Sequence, residues 1–245
     1  MSIFCKKKSF IESGLLYYTT DIHSHVLPGV DDGAKTYDEA VEALRWLNSK
    51  GVDRMYLTPH IMTGFPGNRK KFIIEQFVIF KNKLEDDGIG DIPELRLGAE
   101  YMLEPAFETH KNDGYLTYSG NNILVETSYI MPPMGFVNML EDLMEDGYTP
   151  VLAHPERYAY MNMNDYKSLK SQGVLFQLNF LSMTGAYGRF AKEKAIQLLL
   201  NGYYDFTGSD FHHLVRHESD YITKSLSKKQ TTALLFLFEN NNALW

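Results

Sequence analysis

Apolar positions along this chain follow two spacings, and the two alternate. Thr36-Tyr-Asp-Glu39 has the pattern of a capping box, and Val41, Leu44 and Leu47 follow at helical spacing until Gly51. Residues 55–58 then read as a strand. Residues 71–84 predict a helix with Ile74, Phe77 and Phe80 on one face, stopped by Gly88. Short strands are expected at 95–97 and 123–125. A helix at 136–145, closed by Gly147, precedes a strand at 150–153. Helix 165–172, strand 174–178, helix 191–201 and strand 204–207 continue the series, and the tail 219–240 reads as one helix. Such alternation predicts parallel strands covered by helices. An open doubly wound sheet and a closed barrel both satisfy it.

Chemistry separates the two. Nearly every expected strand ends in a histidine or a carboxylate: Asp21-Ile-His23-Ser-His25, Thr58-Pro-His60, Gly98-Ala-Glu100, Val125-Glu126, Ala153-His154 and Ser209-Asp210-Phe-His212. The loop Val30-Asp31-Asp32-Gly33 lies between the first two. In a (β/α) barrel all strand ends meet on one face, whereas an open sheet spreads them along a line. The repeated placement therefore favours a barrel. His23 and His25, two apart on a strand, project to the same side and can share one ion, and Asp210 and His212 repeat the pattern. Imidazole and carboxylate donors without thiolates suit manganese, iron or zinc, with magnesium where oxygen dominates. The donors outnumber the needs of one ion, which points to a cluster. Paired ions activate water near neutral pH and clamp a phosphoryl group.

Each residue alone also has an ordinary explanation. A single His-x-His is often structural, His60 could cap a helix, Glu100 and Glu126 could be ion-pair residues, and His154 could stack in a loop. Their joint recurrence after successive strands is what carries the reading.

Composition sets the outer bounds. The 245 residues, 44% hydrophobic and 22% charged, suffice for one domain with its own core, so metal ligands are not needed as staples. A net charge of −7 argues against a nucleic-acid partner. Cys5 is the sole cysteine, so no intrachain disulfide is possible, and with a Cys-x5-Arg motif lacking, a thiolate phosphatase is excluded. Gly-x4-Gly-Lys-Ser/Thr, Gly-x-Gly-x-x-Gly and Gly-x-Ser-x-Gly are also missing. No apolar run predicts a transmembrane segment. Lys6, Lys7 and Lys8, flanked by Ile3, Phe4 and Phe10, read as a solvated terminus in preference to a membrane contact.

Six stretches carry a family resemblance: residues 21–33, 58–60, 98–100, 124–126, 153–158 and 208–213. Together they resemble the polymerase and histidinol phosphatase (PHP) superfamily, and more narrowly the bacterial protein-tyrosine phosphatases encoded with capsule and exopolysaccharide synthesis. The resemblance implies an α/β fold, a distorted seven-stranded (β/α) TIM-like barrel, as a single domain over 1–245 with 1–19 as an N-terminal extension. It also implies three divalent ions, manganese first, with iron, zinc or magnesium as alternatives. Carried over, His23, His25, Glu100 and Asp210 hold one ion. Glu100 bridges to a second, held with Glu126 and His154, and Asp32, His60 and His212 hold the third. The family motif puts the ligand next to the glycine, hence Asp32 in place of Asp31; the residues alone leave the two open.

The implied reaction is hydrolysis of phosphotyrosine on a protein, with a bacterial tyrosine kinase bearing a tyrosine-rich tail as the partner, in the cytoplasm at the inner membrane face. Arg157 and Arg216 are candidates to fork onto phosphate oxygens, with a surface ion pair to Glu156 as the other reading of Arg157. His213 or His217 is a candidate proton donor, unless both are exposed loop residues. Residues 61–68 are expected at the substrate rim, and Met131-Pro-Pro-Met-Gly-Phe136 is either a peptide contact or core. Rival functions are a PHP phosphoesterase for a small metabolite such as histidinol phosphate, one for nucleic-acid ends, and a non-catalytic metal-binding subunit, which would show a broken ligand set.

Overall fold

The computed structural model describes residues 6–245 apart from the side chain of Arg216; Cys5 lies outside the described residues. Among the described residues nine strands run in order as β1 (Thr19–Asp21), β2 (Val52–Leu57), β3 (His60–Ile61), β4 (Glu94–Leu97), β5 (Glu100–Met102), β6 (Asn122–Glu126), β7 (Thr149–Ala153), β8 (Leu175–Asn179) and β9 (Phe206–Gly208). They form two parallel sheets, β1-β2-β4 and β3-β5-β6-β7-β8-β9. Pro59, which has no N–H to donate, separates β2 from β3, and Gly98-Ala99 separates β4 from β5. The chain thus changes sheet three times, and Glu100 N donating to Pro59 O (3.1 Å) carries the pairing across the gap.

First and last strands also meet. Asp210 N donates to His23 O (2.9 Å) and His25 N to Phe211 O (2.8 Å), around a parallel bridge between Ser24 and Phe211. At the other end of these strands a side chain replaces the ladder. Asn241 receives Thr207 N on Oδ1 and donates Nδ2 to the carbonyls of both Thr20 and Thr207.

The main helices are α1 (Phe10–Ser13), α2 (Tyr37–Ser49), α3 (Lys70–Asp86), α4 (Phe136–Glu145), α5 (Met163–Ser171), α6 (Gly188–Leu200), α7 (Leu214–Ile222) and α8 (Lys228–Asn242). Alternation along the strands sorts the core into two parts. Ile123, Val125, Leu152, Phe176 and Leu178 join the large cluster beneath the helices. Leu124, Val151, Ala153 and Phe206 form a second cluster, on the strand face that Glu126 shares. The catalytic-type side chains therefore stand on top of a packed apolar column.

Several sequence expectations change. The tail is two helices, not one, broken at 223–227, where Ser227 caps α8 with Gln230 in a full capping box. The buried line of α3 is Ile73, Phe80 and Leu84, while Ile74 turns outward. Thr36 does cap α2, but Glu39 returns its bond to Lys35 N, not to the cap itself. The N-terminal segment is not a frayed end from Lys8 onward: Lys8 pairs with Leu226, and Phe10 is buried against Phe180. None of the described helices is long and apolar enough to cross a membrane.

Candidate metal centre

All nine candidate ligands arrive at one place. His23 and His25 leave the end of β1 on the same side of the chain, and Asp210 and His212 do so after β9. His60 begins β3, Glu100 begins β5, Glu126 ends β6 and His154 follows β7. Asp32 enters from the loop between β1 and α2. That loop turns tightly at Gly33, where a Cβ would lie 1.8 Å from His25 O, so only glycine fits.

Glu100 is the hub. It is fully buried, and its Oε2 lies 3.2 Å from His23 Nε2, 3.4 Å from His25 Nε2 and 3.1 Å from His60 Nδ1. Its Oε1 lies 3.0 Å from His154 Nε2. Yet Glu100 Oε2 and His60 Nδ1 have no hydrogen-bond partner among the described residues. Donor atoms this close, buried and not bonded to one another, converge on a point between them. The residues form three overlapping groups: His23, His25, Glu100 and Asp210; His25, Asp32, His60 and His212; and His60, Glu100 and Glu126.

Spacing within the first group fits one ion. His23 Nε2 and His25 Nε2 are 3.1 Å apart, and their distances to Asp210 Oδ1 are 3.4 and 3.3 Å. Ligands bound at about 2.0–2.2 Å in tetrahedral or octahedral geometry lie roughly 3.0–3.5 Å from one another. Hydrogen bonds on the far ring nitrogens aim these imidazoles. His23 Nδ1 donates to Gln177 Oε1 (2.8 Å), His25 Nδ1 to Asp31 Oδ2 (2.8 Å) and His212 Nδ1 to Asp210 O (2.8 Å), which leaves each Nε2 as an acceptor for a cation.

The two aspartates of the loop are now distinct. Asp31 is buried and fully engaged, accepting from His25, from Gly33 N (3.0 Å) and from His60 N (3.0 Å). Asp32 keeps an open carboxylate, 3.5 Å from His60 Nε2 and 3.4 Å from His212 Nε2. Asp31 thus holds His25 and His60 in place, while Asp32 faces His60 and His212 with its carboxylate half exposed.

Charge and backbone both show the cost of the arrangement. Burial would raise the Glu100 carboxyl, but His23, His154 and His25 around it hold it well below the usual range. Burial would likewise lower His60, but Glu100 and Glu126 push it up to about 10. The buried carboxylates thus favour positive charge in the space between them. His154 (φ 34°) and Asp210 (φ 52°) occupy the left-handed region, which costs a non-glycine residue about 1–2 kcal/mol and clusters at functional sites.

Arg157 lies at the edge of this cluster, not in a surface pair with Glu156. Its Nη1 is 2.6 Å from Asp210 Oδ2, which also receives Asn179 Nδ2 (3.1 Å). The guanidinium is sandwiched between Tyr129 (4.5 Å) and Tyr187 (4.3 Å). Glu156 instead is buried and binds Ser182, Tyr204 and Asn179 N. Arg216 is on α7, and its side chain lies outside the described residues. His217 is no exposed loop residue: it is buried on α7 with its ring 5.2 Å from Phe211, while His213 is half-buried at the α7 cap. In the 61–68 loop, Phe65 stacks on His60 (5.9 Å, 5°), and Asn68 ties the loop down by donating to Val30 O and His60 O.

Gln177, Asn179, Tyr129 and Tyr187 were not singled out from sequence. Gln177-Leu-Asn179 had a usable signal. It repeats, in amide form, the polar-x-polar pattern of His23-Ser-His25 and Asp210-Phe-His212 at the end of a buried strand. The tyrosines had none, since they come from loops.

A family model for capsular polysaccharide synthesis, CpsB/CapC, matches residues 19–243. The chain belongs to the CpsB/CapC family. Among its relatives, the tyrosine-protein phosphatase YwqE of Bacillus subtilis (strain 168) is 28% identical over 200 residues, covering 79% of this chain and 77% of the relative. The tyrosine-protein phosphatase CpsB of Streptococcus pneumoniae is 26% identical over 229 residues, covering 87% and 93%. Solved structures of YwqE and CpsB, described as unique metal-dependent tyrosine phosphatases, include one that matches with a TM-score of 0.74 at 25% identity, over 92% of this chain and 90% of that one. The α/β fold with parallel sheets is therefore that of this CpsB/CapC group.

Proposed function

We propose that this CpsB/CapC-family protein is a metal-dependent protein-tyrosine phosphatase. The observation that carries the reading is Glu100 Oε2, buried, without a hydrogen bond, and ringed by three imidazole nitrogens at 3.1–3.4 Å. Such an atom is costly unless a cation completes it. The names of the relatives supply the substrate class.

In this reading three divalent ions, manganese first and iron, zinc or magnesium as alternatives, are held by the nine ligands. His23, His25, Glu100 and Asp210 take one, Glu100, Glu126 and His154 the second, and Asp32, His60 and His212 the third. Bound divalent ions activate water near neutral pH and neutralise charge that builds on phosphoryl oxygens. The chain's own residues do the rest. Arg157, one nitrogen engaged by Asp210, turns its remaining N–H groups to a phosphoryl oxygen. Tyr129 and Tyr187 fix the plane of that guanidinium. Arg216 is proposed as a second phosphate contact. A phenol with a pKa of about 10 leaves readily, so the demand on a general acid is low.

The same reading counts β2 with β3, and β4 with β5, as single interrupted strands, giving a seven-stranded barrel that the β1–β9 pairing closes. It takes the chain as one domain, with residues 1–19 as an extension. The proposed partner is a bacterial tyrosine kinase that governs capsular polysaccharide synthesis, met at the cytoplasmic face of the membrane.

The test is phosphate release by metal-stripped protein reloaded with each ion in turn, on phosphotyrosyl peptide, histidinol phosphate and a phosphorylated oligonucleotide. Ion-dependent turnover, highest on phosphotyrosine, is expected. Preference for histidinol phosphate, or turnover by the stripped protein, overturns the reading.

A further inference from the structure

The loop after β6 is unusual for its exposed apolar surface. Ile130 is 81% exposed, Met131 66% and Met134 94%. The loop is nevertheless anchored. Tyr129 O receives Ala159 N (2.9 Å), Phe136 N donates to Pro133 O (3.2 Å), and two consecutive prolines restrict the chain between them. Large side chains held open to water on a rigid loop mark a contact surface.

Beside this loop lies a cleft of about 390 Å³, separate from the metal centre. Pro132, Phe136, Val137, Tyr160, Met161 and Leu169 give it an apolar lining, drawn from the start of α4, the segment after Arg157 and the end of α5. Asp165 also lines it, but its carboxylate already accepts Asn162 N (2.7 Å) in the α5 capping box. The lining is thus mainly apolar, with Asp165 and Ser168 as its polar members.

Beneath the surface a row of rings, its middle member Tyr158 fully buried, marks the distance between the metal centre and the cleft. Tyr129 lies over Arg157 and 5.9 Å from the His154 ring. It stacks on Tyr158 (6.1 Å), which stacks on Tyr160 (5.8 Å), and Tyr160 lines the cleft. An extended peptide advances about 3.3 Å per residue, so two such ring-to-ring steps are spanned by roughly three to four residues.

We propose that this cleft, with the Ile130–Met134 shelf, is a substrate subsite: it takes an apolar side chain of the polypeptide three or four residues from the phosphotyrosine. The proposal rests on the phosphatase reading above and adds a sequence preference to it. A substrate peptide is the favoured occupant because the exposed segment from Tyr129, which lies over Arg157, through Ile130 and Met131 leads to Pro132 in the cleft. A second copy of this chain is the competing occupant.

The experiment compares kcat/KM on phosphotyrosyl peptides that carry leucine or serine at the third and fourth positions, on either side of the phosphotyrosine. p-Nitrophenyl phosphate, too small to reach the cleft, serves as control. The wild-type protein should favour leucine on one side by about tenfold or more, the scale of burying one such side chain. Val137→Lys should abolish the preference with little change on p-nitrophenyl phosphate. The doubly substituted I130S/M134S, at exposed positions that cannot disturb the core, should reduce it as well and decides the matter if Val137→Lys fails to fold. Equal turnover of all the peptides overturns the subsite and leaves the phosphatase reading intact. A preference that survives both variants places recognition elsewhere and also overturns it. Self-association in sedimentation that Val137→Lys abolishes would give the cleft to a second copy instead. If no phosphotyrosyl peptide is hydrolysed, the phosphatase reading itself falls, and the subsite with it.

Discussion

Arg157 and Asp210 share one contact that joins two functions: Nη1 meets Oδ2 at 2.6 Å, while Oδ1 of the same carboxylate faces His23 and His25. Asp210 therefore holds the guanidinium at a fixed distance from the candidate metal ligands His23 and His25. Any phosphoryl group bound between them meets a cation whose position has already been set.

From this follows the first prediction. Arg157→Lys keeps the charge but loses the planar fork. Turnover of phosphotyrosyl peptide should fall about tenfold to a hundredfold, the scale of one charge-assisted hydrogen bond of roughly 1.5–3 kcal/mol. Bound metal, measured by elemental analysis, should stay normal. Wild-type turnover would mean that phosphate binding belongs to the ions and Arg216.

Tyr187 should matter through its ring face alone. Tyr187→Phe keeps the face over Arg157 and should retain activity. Tyr187→Ala should lose about threefold to tenfold in kcat/KM, since a cation–π contact of this kind contributes about 0.5–1 kcal/mol or more. If both variants behave alike, the hydroxyl or the fold is responsible, and the ring is not positioning the guanidinium.

Chelation should abolish activity and leave the circular dichroism spectrum of a folded α/β protein. The apolar clusters beneath the helices and between the strands do not include the ligands, so the core persists without ions. Global unfolding on chelation would make the ions structural. Glu100→Ala should lower bound metal under the same assay, because it removes the hub of two ligand groups.

Asp210 offers a stability test free of chemistry. Its φ of 52° is strained for any residue with a Cβ. With chelator present, Asp210→Gly should be more stable than Asp210→Ala by about 1 kcal/mol, read from urea melts, even though both lose the same carboxylate. The reverse order would show that the left-handed conformation is not kept in solution.

The sequence revealed most where chemistry and periodicity coincide. His23, His25, Glu126 and Asp210 could be found because apolar strands end at or just before a ligand-type residue, and Glu100 because it closely follows the apolar run 95–97, although it begins a strand of its own. The 136–145 helix matched to the residue because Gly147 marks its end. What escaped was set by tertiary contacts. Ile73 and Ile74 are both apolar, so only packing decides which one turns inward. Residues 223–227 interrupt the tail although no proline or glycine marks them, since Ser227 caps α8 through a box that a helical pattern hides. Asp31 and Asp32 differ only in what surrounds them after folding.

The seam between β1 and β9 also dictates when the site can exist. Ser209 N donates to Asp21 Oδ1 across a separation of 188 residues, and Asn241 ties Thr20 to Thr207 from the last helix. Chains leave the ribosome at roughly 5–20 residues per second, so His23 and His25 emerge long before Asp210 and the residue that stitches their strands together. Asp210 and His212 are the last of the candidate donors to emerge. The candidate donors therefore come together as one set only when the last helix has docked and joined Thr20 to Thr207.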